Sequence, residues 1–289
     1  MEINDCVAVV TGGATGIGRA LVERFYKEGA SGLVVADLDM AGAKEVAKAV
    51  GGLAVECDVS DESAVSGLVS TAVEKFGRID LMVSNAGYVT VGALEAPDEE
   101  LKKMFDVHVM AHLWAARHSI PHMVEAGGGY LLNTASAAGL LTQLGSLHYS
   151  VTKHAAISLS EFLSISYREH GIKVSVLCPQ SVETDILQNS PTRELLSEGT
   201  SNPAAVDGVL TPEEVAQSVI EGVREEKFHI LPHPEVSEYS RRKSDDIDRW
   251  LAGMHRFQQK LFPAGESPSD WLISKNQFFT FAKSNEPIA

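Results

Sequence analysis

Seven short strand-like runs alternate with segments of helical periodicity along this chain, and that alternation restricts the fold more than any other feature. The runs fall at 7–10, 33–36, 53–57, 79–84, 130–134, 173–178 and 228–231. Residues 33–36, Leu-Val-Val-Ala, have no polar position, which suits a strand buried on both faces. Helical patterns lie between the runs. Leu21, Val22 and Phe25 make an apolar face before Gly29, and Ala64, Val65, Leu68, Val69, Ala72, Val73 and Phe76 make another before Gly77. Thr211, Pro212, Glu213 and Glu214 open a third helix with a capping box and proline at its first position. Strand–helix–strand units close by right-handed crossovers. The expectation is an α/β fold, a doubly wound parallel sheet with helices on both faces. Ligands of such sheets sit at the carboxyl ends of the strands.

Residues 1–235 read as one domain with no internal linker or repeat, and 236–289 as a helical extension. Within the domain, 190–210 is rich in Ser, Pro, Gly and Asn and lacks periodicity, so 185–210 is a candidate lid over the substrate. In the extension, Ile247, Trp250, Leu251, Met254, Phe257 and Leu261 share one helical face. That helix is expected to dock on the body or on a neighbouring subunit. The net charge of −15 repels nucleic-acid phosphates and anionic headgroups, so neither nucleic acid nor membrane is an expected partner. Residues 1–10 carry no secretory signal pattern, and no apolar run is long enough to cross a bilayer. Cys6, Cys57 and Cys178 each lie in or beside apolar runs, as buried free thiols do. A cytoplasmic protein is the expectation.

The turn after the first strand reads Thr-Gly-Gly-Ala-Thr-Gly-Ile-Gly over 11–18. A tight turn that brings backbone close to a pyrophosphate needs glycine, and the following helix N-terminus offers unpaired N–H groups to the anion. Gly12, Thr15, Gly16, Ile17 and Gly18 are therefore candidate cofactor contacts. Asp37 ends the second strand 19 residues after Gly18, close to the spacing of about 20 at which an acidic residue meets ribose hydroxyls. Its carboxylate would repel a 2′-phosphate. Leu38 follows it, and no cation precedes Gly16, so NAD is expected rather than NADP. Arg19 reads as an exposed helix residue.

Tyr149 and Lys153 are four apart at the start of a helical segment and share a face. Ser136 lies thirteen residues before Tyr149 at a strand end. With Asp58, Val59, Asn85, Ala86, Gly87, Pro179 and Thr184 in order, these motifs resemble the short-chain dehydrogenase/reductase family, in its compact single-domain branch. The resemblance runs from Cys6 to His233. It implies a Rossmann-type fold and an NAD-dependent oxidoreductase that interconverts a secondary alcohol and a ketone. It implies Tyr149 as general acid/base, Ser136 bonding the substrate oxygen, and Lys153 holding the nicotinamide ribose while favouring phenolate. It further implies Asp58 and Val59 flanking the adenine, Asn85, Ala86 and Gly87 lining the cofactor path with Pro179 and Val182, and Thr184 bonding the carboxamide. A homodimer or homotetramer is implied as well. A catalytically silent NAD-binding sensor of the same fold is the alternative.

Two positions depart from the family pattern. His108 stands where an asparagine usually serves the proton relay, and it reads either as that asparagine's replacement or as a satisfied core histidine. Gln180 stands where glycine commonly follows proline, adding a polar side chain near the expected pocket. His108, His112, His118 and His122 form two i, i+4 pairs on different helical faces, so no metal is expected and a surface or interface role is. The substrate pocket is expected to draw on 137–144, His148, 180–182 and 186–210. Leu140, Leu141, Leu144, Ile186 and Leu187 make it apolar, and 137–144 holds no arginine or lysine. A hydrophobic alcohol or ketone fits such a pocket.

Overall fold

The computed structural model describes residues 1–192, 202–262, 265 and 267–273. Residues 193–201 of the candidate lid, and 274–289 of the extension, lie outside the described residues. The strands are β1 (Val7–Thr11), β2 (Gly32–Asp37), β3 (Leu53–Glu56), β4 (Leu81–Ser84), β5 (Gly129–Thr134), β6 (Ile172–Leu177) and β7 (His229–Ile230). They form one sheet in the order β3-β2-β1-β4-β5-β6-β7, parallel throughout. The order reverses between β1 and β4. That reversal opens a crevice at the carboxyl ends of the strands. All seven expected strands are present, with bounds that differ by a residue or two.

Alternate residues of each strand feed two cores. Ala8, Val10, Leu33 and Val35 pack against helices α1 (Gly16–Lys27), α2 (Met40–Val50) and α8 (Pro212–Arg224). Val9, Val34, Ala36 and Met82 pack against α3 (Glu62–Phe76) and α5 (Ala111–Glu125), with Leu163 of α7 (Leu147–Ser166) joining them. Burial on both faces is why these strands carry no polar alternation. Local sequence ends the helices. Asp39 and Asp61 accept from first-turn amides, Thr211 and Glu214 complete the capping box, and Gly51 and Gly77 close α2 and α3 at φ 66 and 78.

Three features were not expected. A π-turn at Asp106–Met110 joins α4 (Asp98–Phe105) to α5. Its extra residue shifts the helical phase, so Met104 and His108 face inward while Phe105 is 37% exposed. A short helix, α6 (Ala137–Leu141), follows Ser136. Among the described residues the extension forms three helices, α9 (Glu235–Asp245), α10 (Ile247–Leu261) and α11 (Pro268–Ile273). The apolar face of α10 is partly covered, with Trp250 against Tyr239 of α9 at 6.4 Å between ring centroids, while Leu251 is 57% exposed and no α10 residue is fully buried. The α9 helix buries Val236 and bonds α6 through Lys243 Nζ, which donates to Leu140 O at 2.6 Å. Trp271 of α11 is buried, beside Phe262 and against Gly145. Among the described residues no helix is long and apolar enough to cross a membrane.

Candidate active site

The glycines after β1 do three different jobs. Gly12 has φ +64, and a Cβ there would lie 2.9 Å from Ala86 Cα. Gly16 has φ +52, with a Cβ position 3.1 Å from Thr184. Both line a cleft of about 570 Å³ and make a cradle that any side chain would fill. Gly18 lies behind this lining. A Cβ there would come 1.9 Å from Gly12 O, so Gly18 lets α1 sit tightly on the turn. Thr15 caps α1 without a side-chain bond, and no acidic residue occupies the first turn, leaving its amides for an anion.

Asp37 stands at the same end of the cleft. Its Oδ2 accepts from Ala14 N at 3.0 Å and its Oδ1 from Asp39 N at 2.9 Å, and each oxygen keeps a further lone pair for a hydroxyl donor. Leu38, Ile17, Asp58 and Val59 also line this end. Asp58 Oδ1 takes both Ser60 N and Ser60 Oγ. Arg19 is engaged by Glu23 and Glu45 on the surface. Asn85 is mainly a stitch, with Nδ2 donating to Thr11 O at 3.1 Å and Oδ1 accepting from Thr134 Oγ1 at 3.2 Å. It holds the ends of β1, β4 and β5 together beside Ala86 and Gly87. Pro179, Val182 and Thr184 line the middle of the cleft.

Ser136, Tyr149 and Lys153 converge at the other end. Ser136 caps α6: its Oγ accepts from Ala138 N at 3.1 Å and donates to Pro179 O at 3.4 Å. Lys153 lies one turn after Tyr149 in α7, its Nζ 5.6 Å from the tyrosine ring centroid and donating to Thr134 O at 2.9 Å. Both residues are buried. Burial pushes the Tyr149 phenol up, with the Ser136 hydroxyl bond opposing it, and burial pushes the Lys153 ammonium down to about 7. In the protein alone, desolvation therefore favours the neutral form of both groups.

His108 does not touch the cleft. Thr152 Oγ1 donates to His148 O at 2.9 Å and so accepts from His108 Nδ1 at 2.9 Å, while His108 Nε2 accepts from Tyr88 N at 3.3 Å. Both ring nitrogens are committed, and burial holds the imidazole neutral. Its ring packs edge-on to Tyr149 with centroids 5.6 Å apart. That geometry supports the reading of a satisfied core histidine packed behind the tyrosine. His108 points inward, as the core-histidine reading has it, and His112 is also buried rather than on the surface; His118 bonds Glu62 at 3.2 Å. Among the described residues no group of three metal-capable side chains gathers.

The substrate end differs from the sequence reading. Of residues 137–144 only Gln143 lines the cleft, and His148 does not. Formation of α6 turns Leu140 into a core with Ala135, Ile157, Val176 and Cys178. Ile186 and Leu187 of the expected apolar set line the cleft, and Tyr88, Val89 and Val107 complete the apolar wall in place of the 137–144 leucines, with Lys103 adding a cation at the rim. Tyr88 and Val89 carry a signal that was available, since they directly follow the β4 carboxyl end. Val107 lies within the π-turn and Lys103 in the last turn of α4 just before it.

Comparison with known proteins agrees with this arrangement. The short chain dehydrogenase family profile matches residues 6–195. A 1-deoxy-11-beta-hydroxypentalenate dehydrogenase of Streptomyces exfoliatus is 34% identical, over 87% of this chain and 92% of its own. The 3beta-hydroxysteroid dehydrogenase 2 of Eggerthella lenta is 32% identical, over 72% of this chain and 84% of its own. A crystal structure of a short chain dehydrogenase/reductase from Burkholderia phymatum in complex with NAD superposes with TM-score 0.77 at 30% identity, covering 86% of this chain and 96% of that one. The chain belongs to the short-chain dehydrogenase/reductase family. It is an oxidoreductase of the Rossmann fold.

Proposed function

We propose that the chain is an NAD-dependent dehydrogenase that interconverts a secondary alcohol and a ketone on a largely hydrophobic substrate. One observation carries this: a single cleft joins Asp37 at one end to Ser136, Tyr149 and Lys153 at the other. The residues fit a dinucleotide, since a Cβ at Gly12 or Gly16 would fill the cradle, and Asp37 keeps acceptor capacity for ribose hydroxyls while repelling a 2′-phosphate. When bound, NAD supplies the nicotinamide C4 that accepts or returns hydride. Tyr149 Oη takes the substrate hydroxyl proton during oxidation and gives it back during reduction. Ser136 Oγ bonds the substrate oxygen, and Lys153, with two donors beyond its bond to Thr134 O, holds the nicotinamide ribose. Thr184 bonds the carboxamide, and Asp58 and Val59 flank the adenine. Tyr88, Val89, Ile186 and Leu187 favour an apolar skeleton, and relatives named as dehydrogenases of a hydroxysteroid and a hydroxypentalenate support the reaction class.

The test is a panel of secondary alcohols with NAD and with NADP, followed by absorbance of the reduced cofactor, with Tyr149→Phe as control. Steady turnover with NAD, lost in the variant, is expected. Dinucleotide binding without turnover of any alcohol would instead make the protein a sensor. The exposed Val151, Phe162 and Ile165 of α7 support assembly as a homodimer or homotetramer. A monomer in analytical ultracentrifugation would overturn that part.

A further inference from the structure

One cation at the cleft has no counterion. Of the described residues that line the cleft, only Lys103 and Lys153 carry a positive charge. Lys153 lies buried at the inner end and donates to Thr134 O. Lys103 is exposed in the last turn of α4, and among the described residues it makes no ion pair and no hydrogen bond. Lys102, next to it, is tied to Glu99 at 3.8 Å. Glu100 lies one turn before Lys103 on the same helix. Burial pushes its carboxyl up, and Lys103 opposes that rise from a distance too long for an ion pair. Burial also pushes the Tyr88 phenol up to about 12, with Glu100 adding to the rise. Glu100 is thus within electrostatic reach of both, and Lys103 belongs to the Tyr88 and Val107 side of the wall.

The polarity of this end is lopsided. Tyr88, Val89, Val107, Ile186 and Leu187 form the apolar wall, and the free ammonium stands at its exposed rim. The carboxylates of the cleft lie elsewhere. Asp37 and Asp58 are at the far end, and Asp185 also faces the hollow beside Gly16 and Arg19. A chain of net charge −15 repels anions over most of its surface, so an anionic group is held only where a cation meets it. A carboxylate placed deeper, among the apolar side chains, would lose its hydration without a partner. The ligand that fits has its carbinol beside Tyr149, an apolar skeleton along the wall and a negative charge at the mouth.

We propose that Lys103 is a specificity-determining residue that holds a carboxylate of the substrate, which makes the substrate a hydrophobic hydroxy acid and the product the matching keto acid. The inference rests on the alcohol-dehydrogenase reading and narrows its substrate class. Oxidation at the carbinol carbon proceeds as above: hydride passes to NAD, the hydroxyl proton passes to Tyr149, and the remote carboxylate is unchanged.

The experiment uses 5-hydroxyhexanoate, 7-hydroxyoctanoate, 9-hydroxydecanoate and 11-hydroxydodecanoate, each against its uncharged primary amide. They are assayed with NAD in the wild-type protein, Lys103→Met, Lys103→Arg and Lys103→Glu. Chain length varies the reach from carbinol to carboxylate, while acid and amide differ in charge and little else. In the wild type one length should favour acid over amide by about fivefold in kcat/KM, the size of a partly exposed ion pair. NaCl at about 0.5 M should bring that ratio toward one, since the cation is open to solvent. Lys103→Met should remove the preference, Lys103→Arg should keep it, and Lys103→Glu should turn it in favour of the amide. The ratio is taken within each variant, so a general loss of activity cancels. Melting temperature and NADH fluorescence titration establish that each variant is folded and binds cofactor. A wild type that turns over no acid better than its amide overturns the inference, as does a preference that survives Lys103→Met. Turnover of panel alcohols but of no compound in the series overturns it too. Absence of turnover with panel and series alike overturns the dehydrogenase reading, and this inference with it.

Discussion

At the residue scale the site is governed by desolvation. Tyr149 carries a phenol pushed above its ordinary value, and Lys153 an ammonium brought down to about 7. Alcohol oxidation needs the tyrosine as base and ketone reduction needs it as acid. The oxidation kcat/KM is therefore expected to climb from neutral into alkaline pH, and the reduction kcat/KM to fall over the same range; pH profiles measured in both directions check this. Tyr149→Phe should lower kcat by about 10²–10⁴ while NADH fluorescence titration shows binding retained. Asp37 belongs to this scale as well. Asp37→Ser removes the charge that opposes a 2′-phosphate and should shift the NADP-to-NAD ratio of kcat/KM upward by about tenfold or more, read from initial rates. These residues were legible in the sequence because their spacing along single elements already sets them side by side. His108 was half legible. Its interior position could be read, but the bonds to Thr152 Oγ1 and Tyr88 N that commit both nitrogens come from segments 20 and 44 residues away.

At the element scale the turn between β1 and α1 is the least tolerant part of the molecule. Gly18→Ala would place a methyl 1.9 Å from Gly12 O, where neither backbone can yield without moving the cradle. Destabilisation of about 1–3 kcal/mol is expected by urea denaturation, together with weaker NADH binding by fluorescence titration. The strands were readable from their apolar runs because double burial leaves an uninterrupted signature. Element phase was not readable around 105–108. The π-turn there inserts a residue into the helical count and rotates Phe105 outward in place of Met104. The leucines of 137–144 were misassigned for a related reason. Ser136 caps a helix too short to show periodicity, and that helix points Leu140 into the core.

At the scale of the whole molecule, four of the described histidines, His108, His112, His148 and His233, lie in the interior, and burial pushes each toward the neutral form. His112 has no hydrogen-bond partner on either ring nitrogen, and burial brings its pKa down to about 3. Between that value and the unfolded value near 6.5 the unfolded chain binds more protons, so stability is full above about 6.5 and falls as the pH drops. At pH 5 this one residue is expected to cost about 2 kcal/mol relative to pH 7, and His108 acts in the same direction. Urea midpoints measured from pH 7 to pH 5 should fall accordingly, and His112→Leu should flatten the slope. The same scale sets the role of the extension. Its described helices reach the body through Lys243, Tyr239 and Trp271, while Leu251 on the amphipathic face of α10 stays exposed.

Local pattern alone determined the parallel sheet, the phosphate-binding turn, the acidic residue at the end of β2 and the Tyr149–Lys153 pair. Each of these rests on backbone geometry or spacing that neighbouring residues dictate without help from distant ones. Tertiary structure decided the pKa directions, the identity of the apolar wall, the Gln180–Asp207–Tyr239 hydrogen-bond chain and the place of Lys103 at the rim. Burial and hydrogen bonding join residues far apart in the chain, and only the closed fold determines which of them lose water and which charges are left for a ligand.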